Sequence, residues 1–270
     1  MGISAASSEA RTAEVILAFV ELPLLASKDQ QRLRHGRMKR ASLLVPAMRK
    51  TVVHRKLLGL RVRSRPLYTA AGMPRSGSTL LFNLLREILR AEWAEELSSG
   101  WIGDVQQLPK GKAYLVKLHA FDPQLRRRAT KSFCTYRDVR VAVVSAFRKF
   151  GVNLRSHRSN GGSSSTRLRR EECDLLIRYE DLVVDPEKFT RLVAEALGTT
   201  VDVEGTTERV LGLQSPPDGA SSYSKETLLH PGHKTGTGDN DWRDVLESDL
   251  VDEINSQFQW WFAQCQYPLS

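Results

Sequence analysis

The densest run of chemically capable residues is Gly72-Met73-Pro74-Arg75-Ser76-Gly77-Ser78-Thr79. Gly72 and Gly77 permit tight backbone geometry. Ser76, Ser78 and Thr79 offer hydroxyl donors, and Arg75 carries a planar charged fork. A helix starting here turns its unpaired N–H groups and the positive end of its dipole toward the loop, which makes an anion cradle. Farther on, Lys117 and His119 stand two apart, so on a strand both side chains point to one face. An imidazole near neutral pH can take a proton from a hydroxyl or amine, and a lysine can meet negative charge developing on a leaving oxygen. Arg137 and Ser145 are eight apart. With Arg137 closing a strand and Ser145 two turns into the next helix, both can donate to a doubly charged phosphate. The plain alternatives are a β–α turn, a structural histidine and a surface Arg–Asp pair.

The elements that must hold these residues are legible from residue 66 onward. Leu67–Ala71, Ala113–Leu118, Lys131–Tyr136 and Asp174–Tyr179 are short apolar runs and are predicted strands. Helices are predicted over Thr79–Arg90, from Asp138 as N-cap to Phe150, over Pro186–Leu197 with Gly198 as its stop, and more weakly over Gly205–Gly212. Trp242–Phe262 reads as one closing helix, Ser221–Asn240 as turn-rich, and Asn153–Arg170 as a basic Gly/Ser loop. Apolar strands alternating with helices predict an α/β fold. It is a single domain with a central parallel sheet covered on both faces by helices and a P-loop-like turn. Ligands of such sheets bind beyond the carboxyl ends of the strands. Residues 1–65 read as a separate basic, helical segment and 66–270 as the domain.

Composition excludes other classes. The 270 residues are 41% hydrophobic and 26% charged, ordinary globular values that rule out global disorder and collagen. Forty basic against 31 acidic residues give a net charge of +9, which suits an anionic partner. Between Asp29 and Glu87 there is no carboxylate, a pattern read as a basic helix face or as an organellar import segment. Val15–Ala26 contains Glu21 and Pro23 and is too short to span a bilayer, so no membrane partner is expected. No RRM, KH or helix-turn-helix signature supports a nucleic-acid partner. Cys134, Cys173 and Cys265 form no CxxC pair; the first two sit in apolar runs and read as small buried thiols of a reducing, cytoplasmic interior. The six histidines show no HxxxH or HExxH spacing, and no metal is expected.

Gly72 and Gly77 have the spacing of a Walker A loop, but Ser78 stands where its lysine belongs, which disfavours an ATPase, GTPase or nucleotide kinase. Instead, PRSGST opening a helix resembles the 5′-phosphosulfate loop of sulfotransferases that use 3′-phosphoadenosine 5′-phosphosulfate (PAPS). Three further segments follow in that family's order: Lys117-Leu118-His119, Arg137-Asp138-Val139-Arg140 with Ser145, and Arg178-Tyr179-Glu180-Asp181-Leu182 before Asp185-Pro186. A looser match, His233-Lys234-Thr235-Gly236 before Asp241-Trp242-Arg243, is similar to the family's C-terminal nucleotide loop.

The resemblance implies His119 as general base, with Lys117 and Arg75 stabilising the leaving oxygen. It implies a 5′ site of Arg75, Ser76, Gly77, Ser78 and Thr79, and a 3′-phosphate site of Arg137 and Ser145. Lys234, Thr235 and His233 would close on that phosphate, and Tyr179 would lie at the adenine. PAPS is then the cosubstrate and adenosine 3′,5′-bisphosphate (PAP) the product, with no metal. Leu80 stands where family members often place an adenine-stacking Trp. A small hydroxylated or amine acceptor is the expected partner, with a glycan as the alternative. Trp93 and Trp101 are candidates for an apolar acceptor pocket or for the core.

Overall fold

The computed structural model describes residues 64–119, 122–150, 173–217, 223–231 and 241–269, together with Leu58, Gly59 and Val62. Most of the basic N-terminal segment, the basic loop 153–170, and His233, Lys234 and Thr235 lie outside the described residues. Leu58 and Val62 are buried in the core of the domain.

Five strands form one sheet: β1 (Leu67–Gly72), β2 (Leu97–Trp101), β3 (Ala113–Leu118), β4 (Lys131–Tyr136) and β5 (Leu175–Arg178). Their order is β2-β3-β1-β4-β5, and every pairing is parallel. The helices are α1 (Ser78–Trp93), α2 (Pro123–Arg128), α3 (Val139–Phe150), α4 (Tyr179–Val184), α5 (Pro186–Leu197), α6 (Val203–Leu211), α7 (Ser248–Gln257) and α8 (Gln259–Cys265). Successive strand residues face opposite sides. Ala70, Leu115, Phe133 and Ile177 pack with Leu81, Leu85 and Ile88 of α1 and with Val193 of α5. Ala71, Val116 and Cys134 pack with Val139 and Ala142 of α3 and with Trp242, Trp261 and Phe262. The result is a three-layer α/β domain, and burial of both sheet faces explains why β1, β3 and β4 are nearly unbroken apolar runs.

Local chemistry sets the element ends. Asp138 receives the N–H of Arg140 at 2.8 Å at the start of α3, and Asp185 receives that of Lys188 at 3.0 Å at the start of α5. Gly198 ends α5 in the left-handed conformation. The closing segment departs from the single helix expected over Trp242–Phe262. It breaks into a 3₁₀ turn (Trp242–Asp244), α7 and α8. The side chain of Asp241 caps the first piece, and Phe258, at φ −113 and ψ 18, interrupts the helical path between α7 and α8.

The cysteine reading is corrected. Cys134 of β4 and Cys173, just before β5, are joined by a disulfide between neighbouring strands. The apolar runs around them signal burial, which a thiol and a disulfide share. Such bridges persist in oxidising surroundings, so a reducing interior no longer follows from cysteine usage. Cys265 is free, and burial pushes its thiol up to about 12. Among the described residues, no helix is long and apolar enough to cross a membrane, and no group of three or more His, Cys, Asp or Glu is placed to hold a metal ion.

Candidate active site

β1 lies between β3 and β4, and the chain leaves it in one direction to build β2 and β3 and in the other to build β4 and β5. The crevice of such a sheet opens at this strand's carboxyl end. The loop after β1, His119 after β3, Arg137 after β4, Tyr179 after β5 and Trp101 at the end of β2 all meet this rim.

The loop is built around two glycines. A Cβ on Gly72 would stand 2.3 Å from Thr135 Oγ1 and 2.7 Å from Ser76 Oγ, so only glycine lets β1 turn there. Gly77 has φ 82, and a Cβ on it would meet Tyr179 Cδ2 at 2.4 Å. The Tyr179 ring therefore lies directly on the loop, at the first turn of α4 rather than at the end of a strand. Arg75 also adopts the left-handed region, at φ 66, which is uncommon outside glycine and accompanies functional geometry. Ser76 is spent on holding the turn. Its N–H donates to the Met73 carbonyl at 3.1 Å, and its hydroxyl donates to the same oxygen at 2.7 Å. The anion donors left by the loop are the backbone N–H groups at the start of α1, which no side chain caps.

Three cations converge above that helix end. Arg75 Nε donates to Ser145 Oγ at 3.0 Å, and Arg137 Nη1 donates to the Arg75 carbonyl at 3.2 Å. Burial, and then the neighbouring Arg137, work against the charge of Arg75. Lys117 is 6% exposed, and burial followed by the charge of Arg75 brings its ammonium down to about 7. Among the described residues no carboxylate pairs with Lys117 or Arg75; Arg137 has Glu180 at 3.9 Å. Its guanidinium lies over the Tyr179 ring at 4.1 Å, and its Nε is buried without a hydrogen-bond partner. Buried charges are normally paired. Poorly compensated cations around a helix N-terminus fit a polyanionic ligand.

His119 Nδ1 lies 3.2 Å from the Gly72 carbonyl. A carbonyl only accepts, so in the neutral ring Nδ1 carries the hydrogen and Nε2 keeps the lone pair. Burial first, and then the Lys117 cation, hold this imidazole well below its ordinary value, so it is neutral near pH 7 and ready to receive a proton. Trp101 flanks both groups, with its ring centroid 4.9 Å from that of His119 and 5.5 Å from Lys117 Nζ.

The structure thus brings together Arg75, Gly77, Lys117, His119, Arg137, Ser145 and Tyr179, with Ser78 and Thr79 at the helix start. Trp101 lies beside them while also packing against the apolar core. Sequence reasoning passed over His230, whose charge acts on His119, and Tyr223, whose ring lies 5.2 Å from His230 and whose hydroxyl donates to Asp104. Spacing gives no signal for residues more than 100 positions away. Leu80 is turned into the apolar layer with Leu84, Leu182 and Pro186, away from the loop. Arg140, 1% exposed, is structural: it chelates Asp138 at 2.7 and 3.1 Å and lies over Trp242 and Phe262 at 4.2 and 4.5 Å.

No family model matches the sequence, and no protein of curated function matches it. Solved structures share its fold. Retinol dehydratase, in one structure with retinol and PAP and in another with androsterone and inactive cofactor PAP, aligns over 76% of this chain and 84% of its own length, at TM-score 0.51 and 15% identity. Mouse sulfotransferase SULT7A1 complexed with PAP aligns over 77% of this chain and 88% of its own, at TM-score 0.49 and 12% identity. The likeness to retinol dehydratase, at 15% identity, is one of fold: a single α/β domain with an all-parallel sheet and a P-loop-like turn, as expected from the sequence.

Proposed function

We propose that this chain is a sulfotransferase that moves a sulfuryl group from PAPS to a hydroxyl or amine of a small molecule. The observation that carries this reading is the bond between Arg75 and Ser145, 3.0 Å long. It joins the loop suited to a 5′-phosphosulfate to the helix that follows Arg137, the residue suited to a 3′-phosphate. One ligand with anionic groups at both ends explains why three poorly compensated cations share one rim. The PAP in the retinol dehydratase structures is such a ligand in a protein of this fold.

PAPS supplies the sulfuryl group, which departs in line and leaves PAP. The N–H groups at the start of α1 and the Arg75 guanidinium bind the 5′ end and orient it. Lys117, shielded from water, meets the charge that develops on the bridging oxygen. His119 Nε2 takes the acceptor's proton, and the Gly72 carbonyl fixes the ring for that task. Arg137 and Ser145 grip the 3′-phosphate; Ser145 Oγ accepts from Arg75, which leaves its own hydrogen to donate. Tyr179 supplies an aromatic surface for the base, a role for which Leu80 is wrongly turned. Lys234, Thr235 and His233 belong to this proposal from sequence alone, as closing residues on the same phosphate. Trp101 beside His119 favours an apolar acceptor, and the retinol and androsterone bound by retinol dehydratase are small molecules of that kind.

The test is incubation of the protein with radiolabelled PAPS and a small-metabolite extract. Label should move to a low-molecular-weight product with wild type and fail to do so with His119→Ala. Equal transfer by both proteins removes His119 from the mechanism.

A further inference from the structure

The 3′-phosphate arginine has a carboxylate beside it that does not quite reach it. Glu180 Oε1 is 3.9 Å from Arg137 Nε, too far for a hydrogen bond. The other oxygen is engaged by one hydrogen bond and one ion pair. Tyr267 donates its hydroxyl to Glu180 Oε2 at 2.9 Å, and Arg178 Nε lies 3.3 Å from the same atom. Tyr267 is buried, and the Arg178 guanidinium covers its ring at 4.5 Å. Its chain end is anchored by Arg140, which donates to the carbonyls of Pro268 at 2.6 Å and Leu269 at 3.3 Å. Arg137 is 7% exposed, and its Nε is left without a partner.

A buried guanidinium next to a carboxylate would normally close a charge-assisted hydrogen bond, the stronger for low local dielectric. A movement of about 1 Å would bring Glu180 to hydrogen-bond distance. We propose that Tyr267 and Arg178 are positioning residues that hold Glu180 back from Arg137, so that the Arg137 guanidinium is not closed into a carboxylate pair and can turn to the 3′-phosphate of the nucleotide. This rests on the sulfotransferase reading and deepens it. Glu180 partly neutralises the arginine in the free protein without occupying the phosphate's place. The C-terminal residues, through Tyr267, then set the affinity for the 3′-phosphorylated nucleotide.

The test is calorimetric titration of the full chain with PAP and with AMP, which lacks the 3′-phosphate. In Tyr267→Phe only Arg178 still holds Glu180, and the carboxylate closes on Arg137. PAP binding should weaken about tenfold, in the range of one charge-assisted hydrogen bond, while AMP binding is unchanged. Tyr267→Phe/Glu180→Gln should recover the wild-type PAP affinity, because no carboxylate remains to compete. Glu180→Gln alone should bind PAP at least as tightly as wild type. Equal losses for PAP and AMP in Tyr267→Phe, no loss at all, or a double variant as weak as the single one would overturn the inference and leave the nucleotide site intact. A wild-type protein that does not prefer PAP to AMP would overturn the underlying reading instead.

Discussion

Raising the pH should weaken PAP binding, and Lys117 sets by how much. In the free protein its ammonium titrates at about 7, against an ordinary 10.5, because burial and Arg75 both oppose the charge. A bound phosphosulfate or phosphate reverses that balance and carries the lysine back toward its ordinary value. The bound state then holds a proton that the free state gives up above pH 7. Affinity is fully present below about pH 7 and declines as pH rises until the bound-state value is reached. Between about pH 7 and about pH 9 the loss is on the order of ten- to a hundredfold. Phosphate ionisation does not mimic this, since its second step lies near about pH 6. Titration calorimetry at several pH values, in two buffers of different ionisation heat, reads both the affinity and the proton uptake. Uptake should approach about 0.9 proton per PAP near about pH 8. Lys117→Met should bind more weakly at pH 7 and show a flat profile. A flat wild-type profile, or a Lys117→Met profile as steep as wild type, refutes the reasoning.

Three other outcomes follow from the same geometry. His119→Ala should reduce sulfuryl transfer by roughly 10²–10⁴-fold and leave the PAP dissociation constant within about twofold, as steady-state rates and calorimetry would show. Gly77→Ala places a side chain at φ 82 and 2.4 Å from the Tyr179 ring; it should weaken PAP binding by at least about tenfold while circular dichroism stays native. Cys134→Ser opens a bridge across 39 residues and should lower unfolding stability by about 4 kcal/mol in a denaturant titration, with wild type falling to the same level under a dithiol reductant.

The strands that carry the site were legible because they are buried on both faces. Ala113–Leu118 and Lys131–Tyr136 read as strands to the residue. β2 was not, because Leu97-Ser98-Ser99-Gly100-Trp101 is a polar strand that, among the described residues, pairs with β3 alone. Its loss from the sequence reading also left Trp101 without a place. Arg75, Lys117, His119, Arg137 and Ser145, which the fold brings together, were legible because each sits at a strand end, in the loop after it or within two turns of the next helix, where spacing fixes direction. Partners assembled by the tertiary fold gave no such signal. Tyr267 reaches Glu180 across 87 residues, and the disulfide joins strands that are neighbours only after folding. Ser76 illustrates the reverse case: its type suggested a ligand donor, but the turn itself consumes both its N–H and its hydroxyl.

The central claim is that one ligand, anionic at both ends, spans Arg75 and Arg137. It is tested most directly by titrating wild type and Arg137→Ala with PAP and with AMP. Wild type should bind PAP at least about tenfold more tightly than AMP, and Arg137→Ala should bind the two alike, with its AMP affinity preserved. Equal binding of PAP and AMP by wild type, or a PAP preference that survives in Arg137→Ala, would contradict it.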